Sequence, residues 1–298
     1  MNSSLFALLK TAQESLMDAE ISEPEISAKF LLAGVIGIEP KELIFYDKDV
    51  SDEQRLIFEE YIKERLTGRP VAYILGKQNF RGLDFFVNES VLIPRPETEE
   101  LVDLALEYQD HGTIAIDLGT GSGNIPICLQ KEGTWKKVYG LEISKDALKM
   151  AESNATNLDT VVTFKECDVT SREFKILLED IVSNYQPSSL CITANLPYIS
   201  SQERDELEKD VRDFEPHIAL FGGEIGDEMI LSTTKTIWDV CSSHSLPFFM
   251  IHELDDQMSL RVKEKVEAIT GSTWQVRKDI QSKSRFLVFN TIVHGQCF

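Results

Sequence analysis

The chain has 298 residues, of which 42% are hydrophobic and 27% are charged, as expected for one large globular domain or two smaller ones. No apolar run approaches the ~18 residues of a membrane span, and the polar start is not typical of a secretion signal. The formal net charge of -20 disfavours a nucleic-acid partner, because such binding rests largely on Lys and Arg neutralising phosphates.

The cysteine pattern indicates in which cellular compartment the protein is expected. The five cysteines are scattered, with no CxxC pair, and the histidines show no metal-ligand spacing. We therefore expect a reducing, cytoplasmic environment, with neither a disulfide framework nor a metal site. The cysteines are Cys128, Cys167, Cys191, Cys241 and Cys297.

The N-terminal part of the chain predicts a small helical bundle. Apolar residues recur at spacings of three and four along the first segment, and Ser22 is the expected N-cap of the second helix. The expected helices cover about 5–19, 23–37, 40–45 and 52–66. Gly68 follows the last of them and closes a first domain, 1–68, with no chemistry visible in it.

A change of pattern follows at Pro70. Short β-prone runs broken by Gly76, Gly82 and Asn88 predict a β-hairpin, which we assign to a linker over 69–94. A helix is expected to begin near Glu97, and the remainder, 95–298, is assigned to a catalytic domain.

Strands and helices alternate from there to the end of the chain. This pattern predicts an α/β fold in which helices cover both faces of a parallel sheet. The last two strands follow one another directly, so the final strand is expected to be antiparallel. The seven expected strands are 113–118, 137–143, 161–166, 189–194, 246–254, 273–280 and 285–293.

A glycine-rich loop follows the first of these strands. In "IDLGTGSGN", Asp117 ends the strand and Gly119, Gly121 and Gly123 alternate before a helix. Asn124 occupies the place of the last glycine of a dinucleotide fingerprint, and the G-K-[ST] of a P-loop is absent. The D-x-G-x-G-x-G form resembles the cofactor loop of class I S-adenosylmethionine methyltransferases, which have a Rossmann-like sheet.

That resemblance implies S-adenosylmethionine as cofactor and S-adenosylhomocysteine as product. The loop residues Thr120 and Ser122 would bind it with the three glycines, and Asp117 would act on its ammonium end, directly or through water. Glu142, at the end of the second strand, can accept hydrogen bonds from ribose hydroxyls. Asp168, after the third strand, would receive the adenine amino group. For Glu142 the alternative is a surface residue at a strand end.

The fourth strand ends in "ITANLPYIS" (192–200), which places a second motif beside the cofactor. Asn195, Leu196, Pro197 and Tyr198 have the form N-x-P-Y, which resembles the motif of methyltransferases that modify planar amide or amine nitrogens. The alternative is a strand-ending turn with a self-capped Asn. Arg95 and Thr98, in "PRPETEE", are candidates either for the substrate cleft or for a hinge and helix start.

Three longer segments narrow the range of possible substrates. They resemble the HemK/PrmC family, the release factor glutamine N5-methyltransferases. The resemblance extends over nearly the whole chain, although the N-terminal domain resembles that of the family only in being a helical domain. The segments are "RPVAYILGKQNFRGLDFFVNESVLIPRPETEELV" (69–102), "FEPHIALFGGEIGDEMI" (214–230) and "DIQSKSRFLVF" (279–289).

The family resemblance implies methylation of the glutamine in the Gly-Gly-Gln loop of class I peptide-chain release factors. The Asn195 oxygen and the Leu196 carbonyl would accept hydrogen bonds from the substrate NH2, and Tyr198 would pack on the flat amide. The N-terminal domain would hold the release factor. We expect a monomer, no metal, no membrane and no stable nucleic-acid partner.

Three departures from the family pattern keep other functions open. Leu196 stands where proline is usual, Glu142 where Asp is usual, and "HELDDQ" (252–257) where a glycine is common. N-L-P-Y resembles the motif of rRNA adenine dimethyltransferases. An enzyme that methylates adenine or guanine of RNA or DNA is therefore the alternative, and a non-catalytic cofactor-binding module is a third hypothesis.

Overall fold

The computed structural model describes residues 3–291. Two short 3-10 helices, Pro40–Phe45 and Ser201–Glu206, accompany the α-helices. The α-helices are α1 Ser3–Asp18, α2 Pro24–Ile36, α3 Asp52–Leu66, α4 Val71–Leu75, α5 Thr98–Leu106, α6 Asn124–Glu132, α7 Lys145–Asn157, α8 Arg172–Tyr185, α9 Lys209–Phe214, α10 His217–Leu220, α11 Glu228–Ser243 and α12 Asp256–Thr270.

The strands form one large sheet and two small ones. They are β1 Lys77–Phe80, β2 Leu83–Phe86, β3 Asp110–Leu118, β4 Trp135–Glu142, β5 Thr163–Glu166, β6 Ser189–Ala194, β7 Ile199–Ser200, β8 Phe221–Gly223, β9 Phe248–Glu253, β10 Gln275–Lys278 and β11 Ser284–Asn290. The pairs β1–β2 and β7–β8 stand apart from a seven-stranded sheet of order β10-β11-β9-β6-β3-β4-β5.

The large sheet confirms the predicted α/β fold. Strands β3, β4, β5, β6 and β9 pair in parallel, and β11 is antiparallel to both β9 and β10. Consecutive residues of β3 face opposite cores: Ile114 and Ile116 belong to one apolar cluster and Ala115 to the other. Both faces of the sheet are therefore covered. The strand expected over 285–293 ends at Asn290; positions 292 and 293 lie outside the described residues, as does Cys297.

Two local expectations were wrong. The β-prone run after Pro70 begins with helix α4, because Pro70 precedes its first turn and Gly76 (φ 70°) closes it in a left-handed conformation. Glu23, not Ser22, is the N-cap of α2. The backbone carbonyl and hydroxyl of Ser22 instead accept hydrogen bonds from Arg65, both at 3.2 Å.

The chain divides into two compact units. Unit 1 comprises Met1–Gln78 together with Leu207–Phe214, and unit 2 comprises Asn79–Glu206 and Glu215–Phe298. The membership of α9 in the N-terminal unit was not expected from the sequence. None of the helices within residues 3–291 is long and apolar enough to cross a membrane.

Arg65 shows how α9 belongs to unit 1. This arginine is only 4% exposed, and its guanidinium donates to the Ser27 hydroxyl and to the Gly68 carbonyl. Its remaining charge is balanced by Asp210 of α9, at 3.7 Å. A buried guanidinium needs such acceptors, because an unpaired charge is costly to remove from water.

Candidate active site

The predicted motifs meet at one end of the large sheet. Strand β3 pairs in parallel with both β4 and β6, so the glycine loop, Glu142 and Asn195 leave the sheet side by side. A cavity of ≈ 970 Å³, counting its open mouth, lies there. The predicted site residues that line it are Arg95, Thr98, Gly119, Thr120, Gly121, Ser122, Glu142, Asp168, Asn195, Leu196 and Pro197.

The loop after β3 takes a path that requires glycine. Gly119, Gly121 and Gly123 have φ values of 69°, 52° and 81°, in the left-handed region. A Cβ at Gly121 would meet nothing within 4 Å, whereas one at Gly123 would lie 3.1 Å from Ala151 and from Ile127. Gly121 thus faces the open cavity, and Gly123, which does not line it, allows α7 to pack closely behind the loop.

Glu142 fixes the glycine loop to β4. Its Oε2 accepts the Gly121 N–H and its Oε1 accepts the Ser144 N–H, each at 2.9 Å. A carboxylate has about four lone-pair sites, so both oxygens retain acceptor capacity toward the cavity. The side chain therefore holds the loop while still being able to receive ligand hydroxyls.

Asp117 lies behind the loop, fully buried, and does not line the cavity. Its Oδ1 accepts the Thr193 hydroxyl at 2.7 Å. Oδ2 makes no hydrogen bond of normal geometry with any residue in 3–291. Burial raises the pKa of this carboxyl to about 7, and the Thr193 hydrogen bond opposes that shift. Direct ligand contact would require the loop to open.

Asp168 is an exposed residue of the cavity wall. Its Oδ1 accepts the backbone N–H of Thr170 at 2.8 Å and the Thr170 hydroxyl at 2.6 Å. The turn after β5 thereby fixes the carboxylate at the cavity edge, beside Val169 and the buried Cys167.

Asn195 is held by a residue far away in the sequence. Its Nδ2 donates to the hydroxyl of Thr98, the first residue of α5, at 3.2 Å. Thr98 is 2% exposed. The Asn195 amide thus bonds across the cavity wall, which differs from the self-capped turn considered above. With its NH2 occupied, its Oδ1 is available to accept a hydrogen bond.

Arg95 and Tyr198 differ in their relation to the cavity. Arg95 lines the cavity and pairs with the buried carboxylate of Glu215, so its charge is already balanced. Tyr198 does not line the cavity. Burial, followed by the nearby Glu253 and Asp255, raises the pKa of the Tyr198 phenol to about 12, so it remains neutral at physiological pH.

The segment 214–230, noted above only for its resemblance to the family, contains a loop that supports the N-x-P-Y corner. A Cβ at Gly222 would lie 2.2 Å from the Pro197 carbonyl oxygen, and one at Gly226 would lie 2.2 Å from the Tyr198 carbonyl oxygen. Only glycine allows this approach to the N-x-P-Y backbone. Gly222 and Gly226, in "FGGEIG", were the available signal.

The chain matches two family models. Residues 7–76 match the PrmC N-terminal domain, and residues 109–197 match a methyltransferase domain. It is also similar to proteins named release factor glutamine methyltransferase. That of Koribacter versatilis is 35% identical over 77% of this chain and 79% of its own length.

Two further relatives with the same name match over almost their full lengths. The protein of Bacillus subtilis is 33% identical, with 94% of this chain and 96% of the relative covered. That of Leptospira interrogans is 35% identical, with 96% and 97% covered. On this similarity, joined to the seven-stranded sheet and the site at its edge, the chain belongs to the release factor glutamine methyltransferase family.

Proposed function

We propose that the protein transfers a methyl group from S-adenosylmethionine to the side-chain amide nitrogen of the glutamine in the Gly-Gly-Gln loop of class I peptide-chain release factors. The observation that carries this proposal is the Asn195 amide at the cavity wall. Thr98 occupies its NH2, which leaves Oδ1 as an acceptor for a second amide. Membership of the family supports the choice of glutamine.

The cavity suits S-adenosylmethionine in its chemistry. Glu142 retains acceptor capacity for ribose hydroxyls, and Asp168 offers an acceptor for an amino group at the cavity edge. Gly121 leaves open space where any side chain would project. The Asp117 carboxyl can influence a cationic ammonium from behind Thr120. When bound, this cofactor supplies a methyl group on an already activated sulfonium.

The protein's own contribution is to orient the substrate nitrogen. Asn195 Oδ1 and the Leu196 carbonyl accept the two N–H bonds of the substrate amide and favour the positive charge that grows on its nitrogen. Pro197 has no N–H, so this corner presents acceptors rather than donors. The neutral Tyr198 phenol supports the corner by packing. Holding the nitrogen in line with the methyl group accounts for much of the rate.

We propose that unit 1 contacts the release factor. It exposes several large apolar side chains, and such surfaces often mark protein-binding sites. Phe45 is 84% exposed, and Met17 and Leu56 are each 63% exposed. The strongly acidic composition opposes a nucleic-acid substrate.

The test uses the full-length protein with labelled S-adenosylmethionine and three acceptors: a release factor, the same factor with the loop glutamine changed to alanine, and ribosomal RNA. Label is expected only in the unmodified factor. Label in RNA, or equal label in both forms of the factor, would refute the proposal.

A further inference from the structure

The end of β9 carries a buried carboxyl that lies outside the residues lining the cavity. Glu253 is the last residue of β9 and is 4% exposed. Ala194 pairs with His252 in the parallel β6–β9 register, so Glu253 leaves the sheet beside Asn195. Its Oε2 has no hydrogen-bond partner within residues 3–291. A buried carboxyl with one open oxygen needs an explanation.

Thr98 connects this acid to Asn195. The Thr98 hydroxyl lies close enough to the Glu253 carboxyl to lower its pKa. The same hydroxyl accepts a hydrogen bond from the Asn195 NH2 at 3.2 Å. A hydroxyl has one proton to donate. If that proton goes to the Glu253 carboxylate, only lone pairs of Thr98 remain for Asn195. Asn195 must then present its NH2 to Thr98 and its oxygen to the cavity.

We propose that Glu253 is a positioning residue for methyl transfer: by accepting the Thr98 proton, it fixes the Asn195 amide with Oδ1 toward the substrate NH2. The opposite amide orientation would turn an N–H toward the substrate N–H and remove the acceptor. The inference rests on the role proposed above for Asn195. It assigns a function to a strand end that the sequence did not single out.

The protonation state of Glu253 therefore matters for turnover. Burial raises the pKa of Glu253 to about 7, while the neighbouring Thr98 hydroxyl and Arg285 oppose the shift. A protonated Glu253 can donate to Thr98, which can then donate to Asn195 Oδ1 and reverse the amide. The ionisable groups facing Glu253 are Arg285 from β11, Arg95 and Glu97 ahead of α5, and Tyr198 after β6.

The first measurement is steady-state methylation of a release factor by full-length Thr98→Val, Thr98→Ser and a control, Thr113→Val. Thr98→Val should lower kcat about 100-fold, with the KM for the factor and the Kd for S-adenosylmethionine nearly unchanged. Thr98→Ser should restore most of the loss. Thr113 is a similarly buried threonine whose hydroxyl hydrogen-bonds that of Ser189, and neither residue lines the cavity. Thr113→Val should therefore leave kcat unchanged.

The second measurement is the pH profile of Glu253→Gln, an isosteric change that removes a buried charge. Wild-type kcat should rise through the region near pH 7 as Glu253 ionises. Glu253→Gln should lose this rise and lower kcat about tenfold at pH 8, because the Gln amide can either donate to Thr98 or accept from it. Adding Glu253→Gln to Thr98→Val should cost nothing further.

Several results would overturn the inference: wild-type turnover in Thr98→Val, an unchanged pH profile in Glu253→Gln, or independent effects of the two changes. Each can occur while the wild-type enzyme still methylates the release factor and Asn195→Ala is inactive. Failure of the inference is thus distinguishable from failure of the proposed function.

Discussion

The two sides of the cavity are built in different ways. The glycine loop after β3 is shaped by its backbone: three residues take left-handed conformations, and the Gly121 N–H is anchored by Glu142. The corner after β6 is shaped by side chains, because Asn195 is oriented by Thr98, 97 positions earlier. The first side shapes space for a ligand, and the second aims a polar atom into it.

The two sides meet at Leu196. A Cβ at Gly119 would lie 3.0 Å from the Leu196 Cδ2, and Leu196 is 3% exposed. A side chain at Gly119 would therefore press on the corner. Changes that affect one side alone can test whether the loop serves the cofactor and the corner serves the substrate.

The largest effect is expected from Asn195→Ala, which removes the corner's acceptor and leaves the loop intact. Turnover should fall by about 10²- to 10³-fold, as for loss of one preorganised hydrogen-bonding group. Calorimetry should show little change in S-adenosylmethionine affinity. Near-normal turnover would mean that the corner does not act as proposed, and loss of cofactor binding would mean that the two sides are not separable.

The converse change is Gly121→Ala, with Gly82→Ala as a matched control. Both glycines have positive φ (52° and 74°) and open space around them, so each variant should lose about 1–2 kcal/mol of stability. Of the two, Gly121 lines the cavity and Gly82 does not, so only Gly121→Ala should weaken cofactor binding, by about tenfold or more. Equal cofactor affinity in the two variants would contradict the role of the loop.

Asp117→Asn tests the buried support of the loop through pH. The pKa of Asp117 in the folded protein, about 7, exceeds its unfolded value of 3.8, so the folded state retains the proton more strongly. Wild-type stability contributed by this group is complete below about pH 4 and is lost as pH rises to 7. Asp117→Asn should therefore gain stability relative to wild type as the pH rises from 4, and by pH 8 this gain should reach about 4 kcal/mol.

Thermal unfolding at pH 4, 6 and 8 measures this difference. A constant gap between Asp117→Asn and wild type across the three values would show that Asp117 does not titrate in this range.

The smallest effect on turnover is expected from Leu196→Pro, which introduces the residue usual in the family. The reaction is proposed to use the Leu196 carbonyl and not its side chain, so kcat on a release factor should stay close to wild type. Stability should fall because a buried leucine is lost from the core cluster. A large fall in kcat with intact cofactor binding would show that the side chain matters to the corner.

The same contrast explains what the sequence could and could not predict. The loop was predictable because a left-handed backbone requires glycine, and three alternating glycines after a buried strand are visible in the sequence. The parallel strands were predictable for a similar reason, since runs such as 113–118 and 189–194 are mostly apolar. Features of this kind depend on residues that are close together in the sequence.

The support of the corner was not predictable in the same way. Thr98 was identified only as a candidate, and Glu253 was not identified, because their relation to Asn195 depends on strand order and on where α5 packs. The helix α4 was missed because its β-prone residues are overridden by Pro70 and Gly76 at its two ends. The glycines that approach Pro197 and Tyr198 likewise acquire their meaning only from the folded chain.

The position of α9 has a consequence for how the protein is made. Unit 1 includes Leu207–Phe214, and Asp210 supplies the acidic partner of the buried Arg65. During synthesis, residues up to Gln78 leave the ribosome long before residues 207–214 are made. Until then Arg65 lacks its acidic partner Asp210. Completion of the first unit requires most of the second to be translated, and a fragment ending at Gln78 would lack the carboxylate that pairs with its buried Arg65.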